Sequence, residues 1–325
     1  MELIVTHSLG TDPAENLALE EGLLETVKPG QVIFYLWQNQ HTVVIGRHQN
    51  PWRECRVQLL EQEGGHLVRR TSGGGAVYHD LGNLNFSFIM HRPLYDLDRQ
   101  LGMILQAVRS LGIPAEFSGR NDLLAGGKKF SGNAFAFRTE GALHHGTLML
   151  CSDTERVARY LQVSRQKLAS KGIASVQSRV TNLCTWRPDL AVPEMEDALR
   201  QAFAACYGGL PDCTPPHSLL PAGDWNALTE RHRSWAWRFG VTPAFDWTLE
   251  HRFPWGGVEL LLSSRDGRVT DARCYSDAMD EAAIGRIAPQ LVGHPVEPQA
   301  LAAALSRLEG ELFQDMAQWL GTVVL

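Results

Sequence analysis

Two segments of this chain carry residues whose types and spacing suit chemistry on a phosphate. Residues 69–82 read Arg-Arg-Thr-Ser-Gly-Gly-Gly-Ala-Val-Tyr-His-Asp-Leu-Gly, and residues 128–134 read Lys-Lys-Phe-Ser-Gly-Asn-Ala. Three successive glycines have no Cβ, so several backbone N–H groups can converge on one anion, and Arg69 and Arg70 would add positive charge at the entrance. The pattern predicts a nucleotide-handling site with Lys129 as a nearby cation. A glycine-rich turn between two strands is the alternative.

The glycine run fits neither of two common phosphate-binding loops. A P-loop closes with Gly-Lys-Ser/Thr, and the dinucleotide fingerprint needs a completed Gly-x-Gly-x-x-Gly followed by a helix. Here Ala76, Val77 and Tyr78 continue as a predicted strand instead.

Composition indicates a globular protein with no general affinity for polyanions. The 325 residues are 44% hydrophobic and 20% charged, which is ordinary and long enough for two domains. The formal net charge of −6 argues against nucleic-acid binding. The six cysteines form no Cys-x-x-Cys pair, so we expect no disulfide framework and a reduced, cytoplasmic setting. We expect neither a targeting signal nor a membrane span.

Strands and helices are expected on both sides of the two motifs. Asp12 followed by Pro13 predicts the start of a helix, and residues 31–37 and 41–46 predict two adjacent strands. Asn50 followed by Pro51 predicts a helix that runs to about residue 63. Residues 84–90 alternate apolar and polar side chains, which predicts a half-buried strand.

Two regions rich in Pro and Gly, 208–224 and 240–246, could each mark a domain boundary. Composition does not choose between them, and we place the boundary in the second, which gives domains over 1–243 and 244–325. The second domain is predicted to hold strands near 250–263 and 269–275 and helices near 280–291 and 297–319.

Five ordered motifs together resemble lipoate-protein ligases of the bacterial two-domain type. They are residues 69–83, Gly-Arg-Asn-Asp-Leu at 119–123, Lys-Phe-Ser-Gly-Asn-Ala at 129–134, His-His-Gly-Thr-Leu at 144–148 and Ser-Arg-Val-Thr-Asn-Leu at 178–183. The resemblance extends to Phe-Pro-Trp-Gly-Gly at 253–257. It implies an α/β (α+β) fold, with a large catalytic domain of mixed sheet and flanking helices, similar to biotin ligases, and a small C-terminal α/β accessory domain.

The resemblance also implies a reaction in two halves. ATP and lipoate would give lipoyl-AMP and pyrophosphate, and a lysine of an acceptor domain would then take the lipoyl group as an amide. Two like charges about 4 Å apart repel by about 1 kcal/mol in water but about 4 kcal/mol at an effective dielectric of 20. A dry pocket therefore needs a cation between the carboxylate and the α-phosphate, and Lys129 is the catalytic candidate.

Further site residues follow from the resemblance alone. The residues implied to hold ATP or the adenylate are Arg70, Gly75, Ala76, Val77, Tyr78, Asn121, Asp122 and Lys129. Those implied to line the lipoyl side are Leu17, Leu19, Ser72, Gly73, Gly74, His79, Ser131 and His145. A mobile loop over the adenylate is implied around Lys171, Arg179 and Val180, and Asp122 is a candidate ligand of the Mg²⁺ that accompanies ATP.

Several of these assignments have a plainer alternative, which for Lys129 is a solvated surface lysine. Asn121 and Asp122 suit a strand-end turn, the leucines suit ordinary core, His145 suits a hydrogen-bonded core histidine, and the loop suits a simple connection. Phe130 follows the candidate lysine where the family usually has Ile or Val, which puts the acyl-chain preference in question rather than the reaction.

The implied partners are the lipoyl domains of 2-oxo acid dehydrogenase acyltransferase subunits and the glycine-cleavage carrier protein, with the enzyme itself a monomer. One rival function is an ATP-independent octanoyl or lipoyl transferase on the same scaffold, which would need an activated thiol or a carrier-docking lysine. Cys151 is the cysteine nearest the motifs, and a buried small hydrophobe is its alternative role. A non-catalytic module that binds lipoyl domains or nucleotide is a second rival.

Overall fold

The computed structural model describes residues 1–118, 122–162, 180–209, 211–239 and 246–323. Its strands are β1 (Glu2–His7), β2 (Gln31–Trp37), β3 (Thr42–Ile45), β4 (His66–Arg69), β5 (Val77–His79), β6 (Asn83–His91), β7 (Ala115–Ser118), β8 (Asp122–Ala125), β9 (Lys128–Phe137), β10 (Gly141–Met149), β11 (Trp247–Phe253), β12 (Gly256–Arg265) and β13 (Arg268–Ser276). Its α-helices are α1 (Pro13–Thr26), α2 (Pro51–Glu54), α3 (Val57–Gln62), α4 (Leu97–Ser110), α5 (Thr154–Tyr160), α6 (Val192–Tyr207), α7 (Pro216–Leu219), α8 (Ala222–Arg233), α9 (Trp235–Arg238), α10 (Glu281–Leu291), α11 (Pro298–Leu305) and α12 (Glu311–Leu320).

A mixed sheet of seven described strands forms the body of the protein, in the order β1-β2-β6-β10-β9-β8-β7. Only the β1–β2 pairing is parallel. Alternate residues of β2 belong to different cores: Phe34 packs in the cluster that contains α4 and α6, and Ile33 packs in the one that contains α1. Helices thus cover both faces of the sheet, as the mixed-sheet fold class requires.

The predicted start of α1 is confirmed, because the Asp12 side chain accepts hydrogen bonds from the backbone nitrogens of Ala14 and Glu15. The prediction of a half-buried strand over 84–90 is wrong. β6 is buried along nearly its whole length, because β2 and β10 pair with both of its edges and helices lie on both faces.

Two other predicted elements also differ from the structure. β2 and β3 are not adjacent, since β2 joins the large sheet and β3 joins a separate one. The helix predicted over 50–63 is two short helices, α2 and α3. They are separated at Cys55, whose backbone is extended and forms an isolated β-bridge with Leu161.

A three-stranded sheet in the order β4-β3-β5 positions the glycine-rich loop. β4 runs parallel and β5 antiparallel to β3, so the loop over 70–76 must reverse the chain between them. Strands flank the glycines on both sides, as predicted.

The C-terminal part consists of the antiparallel sheet β11-β12-β13 with α10, α11 and α12 packed in one hydrophobic cluster. The strand predicted over 250–263 is a hairpin, because Pro254 and Trp255 form the turn between β11 and β12. The helix predicted over 297–319 breaks before α12, where Gly310 has a φ of 128°. No helix within the described ranges has the length and apolar character needed to cross a membrane.

Candidate active site

Two cavities meet at the glycine-rich loop. The smaller has a volume of about 180 Å³ and the larger about 770 Å³. Five residues line both cavities: Ala76, Val77, Lys129, Gly132 and Thr147. Two ligands bound in these cavities would therefore meet beside Lys129, which is the cationic side chain in this shared wall.

Local irregularity in β9 directs the Lys129 side chain. The pairing of β8 with β9 shifts register after Leu123, so that Phe130 is an extra residue beside Lys129, and such bulges re-aim side chains. The Lys129 ammonium lies over Gly132, where a Cβ would come within 3.0 Å of Nζ. Asp122 Oδ1 accepts from Nζ at 2.6 Å. The lysine is thus placed by the strand, the glycine and one carboxylate.

Arg70 holds the glycine-rich loop from inside. Its Nη2 donates to the carbonyl oxygens of Gly73 at 2.7 Å and Gly75 at 2.8 Å, and its Nε donates to Ser72 Oγ at 3.0 Å. Burial lowers the pKa of the Arg70 guanidinium to about 10, against the opposing effect of the Glu20 carboxylate. Arg70 lines the smaller cavity beside Gly74 and Gly75.

Arg69 does not add charge at the entrance, so that expectation is wrong. It is buried, and its guanidinium donates to five backbone carbonyls, those of Gly46, Arg47, Gln49, Trp237 and Arg238. A phosphate would have to compete with these five carbonyl oxygens for the N–H groups of the guanidinium. Arg69 therefore ties together the chain segments behind the loop and does not serve a ligand.

A buried chain of hydrogen bonds connects the glycine-rich loop to α1. Ser72 Oγ lies 2.7 Å from His145 Nε2, and His145 Nδ1 lies 2.9 Å from Glu20 Oε1. A carboxylate only accepts, so His145 Nδ1 donates to Glu20, and in the neutral ring Nε2 accepts from the Ser72 hydroxyl. Ser87 also donates to Glu20 at 2.5 Å. His145 is thus a hydrogen-bonded histidine that also lines the smaller cavity.

The smaller cavity has apolar walls with a few polar groups. Leu17 and Trp37 line it together with His79 and Asn85. His79 Nδ1 contacts Asn39 Nδ2 at 3.3 Å, so the ring proton lies on Nε2. Within the described part of the chain, His79 Nε2 and Asn85 Nδ2 are buried without a hydrogen-bond partner. This lining suits a mainly apolar ligand that offers weak acceptors.

The other predicted site residues are distributed as follows. Leu19 is fully buried in the core beneath α1, and Ser72 and Gly73 contact protein groups behind the loop. Tyr78, Ser131 and Val180 line the larger cavity. Val180 also forms an isolated β-bridge with Lys129. Asn121, Lys171 and Arg179 lie outside the described residues. Among the described residues no group of three or more His, Cys, Asp or Glu side chains could hold a metal ion.

Four residues of these surroundings were not predicted as site residues from the sequence: Glu20, Trp37, Asn85 and Met279. An acidic residue on an apolar helix face was the available signal for Glu20. The other three approach the cavity through long-range packing, which leaves no local pattern.

Three histidines, two of them buried and His48 half-buried, should make stability fall below neutral pH. Burial lowers the pKa of His79 and His144 to about 3 and that of His48 to about 4. Because the unfolded chain takes up these protons near pH 6.5, their contribution to stability is complete above that pH and is lost progressively toward pH 3 or 4, by about 1–2 kcal/mol each at pH 5. Denaturant unfolding at pH 7 and pH 5 would measure the loss.

A matched pair of variants tests the origin of that pH dependence. His79→Gln should reduce the difference in unfolding free energy between pH 7 and pH 5 by the contribution of one histidine. His217→Gln, at an exposed position, should not change that difference. Equal pH dependence in both variants would mean that His79 is not buried in its neutral form.

The mixed sheet with helices on both faces places the protein in the class of lipoate-ligase-like folds. Residues 12–204 match the family model described as lipoyl protein ligase A/B catalytic domain, and residues 242–318 match that described as bacterial lipoate protein ligase C-terminus. The chain belongs to the lipoate-protein ligase family. It is therefore an enzyme of protein lipoylation, a ligase or a transferase.

Solved structures with this fold include LipL1 and two lipoate-protein ligases. The crystal structure of P. falciparum LipL1 in complex with lipoate is 25% identical, with a TM-score of 0.86 and coverage of 99% of both chains. A bipartite lipoate-protein ligase from Thermoplasma acidophilum, studied with its E2 lipoyl domain, is 24% identical, with a TM-score of 0.63, and the match covers 76% of this chain and 98% of that one. A lipoate-protein ligase A bound with ATP is 24% identical, with a TM-score of 0.62 and coverage of 74% and 99%.

Proposed function

We propose that this enzyme activates lipoate with ATP and transfers the lipoyl group to a lysine of an acceptor domain. The observation that carries the proposal is the position of Lys129 in the wall shared by the two cavities. The smaller cavity suits an acyl chain and the larger suits a nucleotide, so the carboxylate and the α-phosphate would meet at the Lys129 ammonium.

In the first half-reaction a carboxylate oxygen of lipoate attacks the α-phosphorus of ATP. The bond to the β-phosphate breaks, and pyrophosphate leaves with its electron pair. Lys129 lies between two anions that would otherwise repel each other, and its charge stabilises the additional negative charge of the transition state. Mg²⁺ would enter with ATP, held mainly by the phosphates, with Asp122 as the nearest carboxylate to Lys129.

In the second half-reaction the amine of the acceptor lysine attacks the acyl carbon, loses a proton, and displaces AMP as the amide forms. Gly75 lines the smaller cavity, and none of the described atoms lies within 4 Å of the position a Cβ would take there. That space lets the mixed anhydride lie against the backbone of residues 75–78, where water is excluded until the acceptor arrives.

The proposed acceptors are lipoyl domains of 2-oxo acid dehydrogenase acyltransferase subunits and the glycine-cleavage carrier protein. The likeness to a ligase that was studied with its E2 lipoyl domain supports the first of these. We also propose that the catalytic domain comprises residues 1–243 and the accessory domain residues 244–325, with the enzyme acting as a cytoplasmic monomer.

The environment of the cysteines argues against thioester transfer. Cys151 is exposed and lies beyond the end of β10, so it is not the buried hydrophobe of the alternative reading. Of the described residues that line the two cavities, none is a cysteine. Burial, and then the neighbouring Cys151 thiol, raises the pKa of Cys184 to about 11, which disfavours a thiolate there.

Pyrophosphate release is the direct test of the proposed function. The full chain with ATP and lipoate should release pyrophosphate, and omission of either substrate should abolish the release. Addition of an apo lipoyl domain should then increase its mass by one lipoyl group. Acylation of that domain from an acyl carrier protein without ATP would instead establish the transferase, and the absence of any turnover would favour a binding module.

A further inference from the structure

A segment of the C-terminal part lies directly against the glycine-rich loop. Gly74 donates its N–H to the carbonyl oxygen of Ala278 at 2.9 Å, and Ser276 donates its N–H to the carbonyl oxygen of His48 at 2.7 Å. The His48 ring is also fixed, with Nε2 at 2.9 Å from the carbonyl oxygen of Glu281. The turn between β13 and α10 is thus docked beside the smaller cavity.

The three glycines of the loop serve different purposes. A Cβ at Gly73 would lie 2.4 Å from the Ala278 carbonyl oxygen and 2.6 Å from that of Met279, which backbone atoms cannot accommodate. Gly74 has a φ of +89°, a conformation that favours glycine. A Cβ at Gly75 would meet no described atom within 4 Å. The first glycine is therefore required by the docked C-terminal segment, and the third leaves room for a ligand.

Met279 brings a side chain from the C-terminal part into the wall of the smaller cavity. Its sulfur lies 3.0 Å from the position of a Cβ on Gly74, and Arg70 Nη2 lies at the same distance from that point. The thioether thus covers the loop beside the buried guanidinium. Methionine is flexible and polarisable, so it can close around an aliphatic or sulfur-containing group.

We propose that Met279 is a specificity-determining residue for the acyl substrate, closing the smaller cavity over a medium-chain or dithiolane-bearing acid. This inference rests on the proposed function. The C-terminal part then completes the acyl-binding site itself, and Gly73 provides the surface on which the Met279 segment docks. Loss of the thioether exposes part of the cavity wall to water and weakens binding of the acid without a direct effect on the larger cavity.

Calorimetric titration of the full-length protein with lipoate, in the absence of ATP, tests the assignment. Met279→Ala should raise the Kd for lipoate by about tenfold, as expected when about half of the burial of a methionine side chain is lost. Met279→Leu, which keeps the volume, should stay within about threefold of wild type. Gly73→Ala should weaken lipoate binding as Met279→Ala does, because its Cβ displaces the same segment.

Two controls make the result specific. Met149→Ala removes a methionine from the wall of the larger cavity and should leave the Kd for lipoate within about twofold of wild type, as should the exposed Val292→Ala. If wild type binds lipoate and Met279→Ala binds it equally well, the assignment of Met279 fails while the proposed function stands. If wild type binds no lipoate, both fail.

Discussion

Lys129→Ala should reduce the rate of pyrophosphate release from ATP and lipoate by about 10³-fold, since a fixed charge that stabilises a transition state is worth about that much. The two cavities share one cationic wall residue among those described. Its removal leaves the lipoate carboxylate facing the α-phosphate with no charge between them. Stopped assays of pyrophosphate at saturating ATP and lipoate would measure the loss in kcat.

The neighbouring lysine provides a matched control. Lys128 is exposed on the same strand, so Lys128→Ala should keep kcat within about twofold of wild type. The salt bridge between Lys129 and Asp122 is partly exposed. Lys129→Ala should therefore change the unfolding free energy by less than about 1 kcal/mol. Full activity in a folded Lys129→Ala protein would disprove the catalytic assignment.

The sequence predicted those features that depend on local chemistry. Asp12 before a proline is a helix N-cap in any tertiary context, and the glycines between two β-rich runs must form a loop between strands. The Lys129 motif was likewise recognisable, because residue type and order identify a family even where packing is unknown. The family therefore followed from the sequence.

Long-range packing was not predictable in the same way. The alternation of residues 84–90 indicates a strand but not how many helices cover it. The prediction that β2 and β3 are adjacent rests on the tendency of strands that are neighbours in sequence to pair. Met279 is distant in sequence from the loop that it covers, so no spacing rule could place it there. Arg69 was read as a surface charge because arginine is rarely buried unless its donors are all satisfied. The structure supplies those acceptors from two segments far apart in the chain.

Arg69→Met should lower the unfolding free energy by about 3–5 kcal/mol, a loss typical of breaking a buried charged hydrogen-bond network. The substitution keeps an apolar stem but removes the guanidinium donor from five backbone carbonyls, of which that of Gly46 still accepts from the Gln49 N–H. Those carbonyls belong to the segment after β3 and to α9, so both should loosen from β4. Burial lowers the pKa of the Arg69 guanidinium to about 10, which leaves it charged at neutral pH.

Comparison with other arginine variants separates a structural role from phosphate binding. Arg69→Lys should recover only part of the stability, because one ammonium cannot reach five carbonyls arranged around a planar guanidinium. Arg265→Met, at an exposed position, should change stability by less than about 0.5 kcal/mol. Below its melting temperature, Arg69→Met should retain the wild-type KM for ATP, since Arg69 serves no ligand. A large increase in that KM with unchanged stability would show instead that Arg69 contacts the nucleotide.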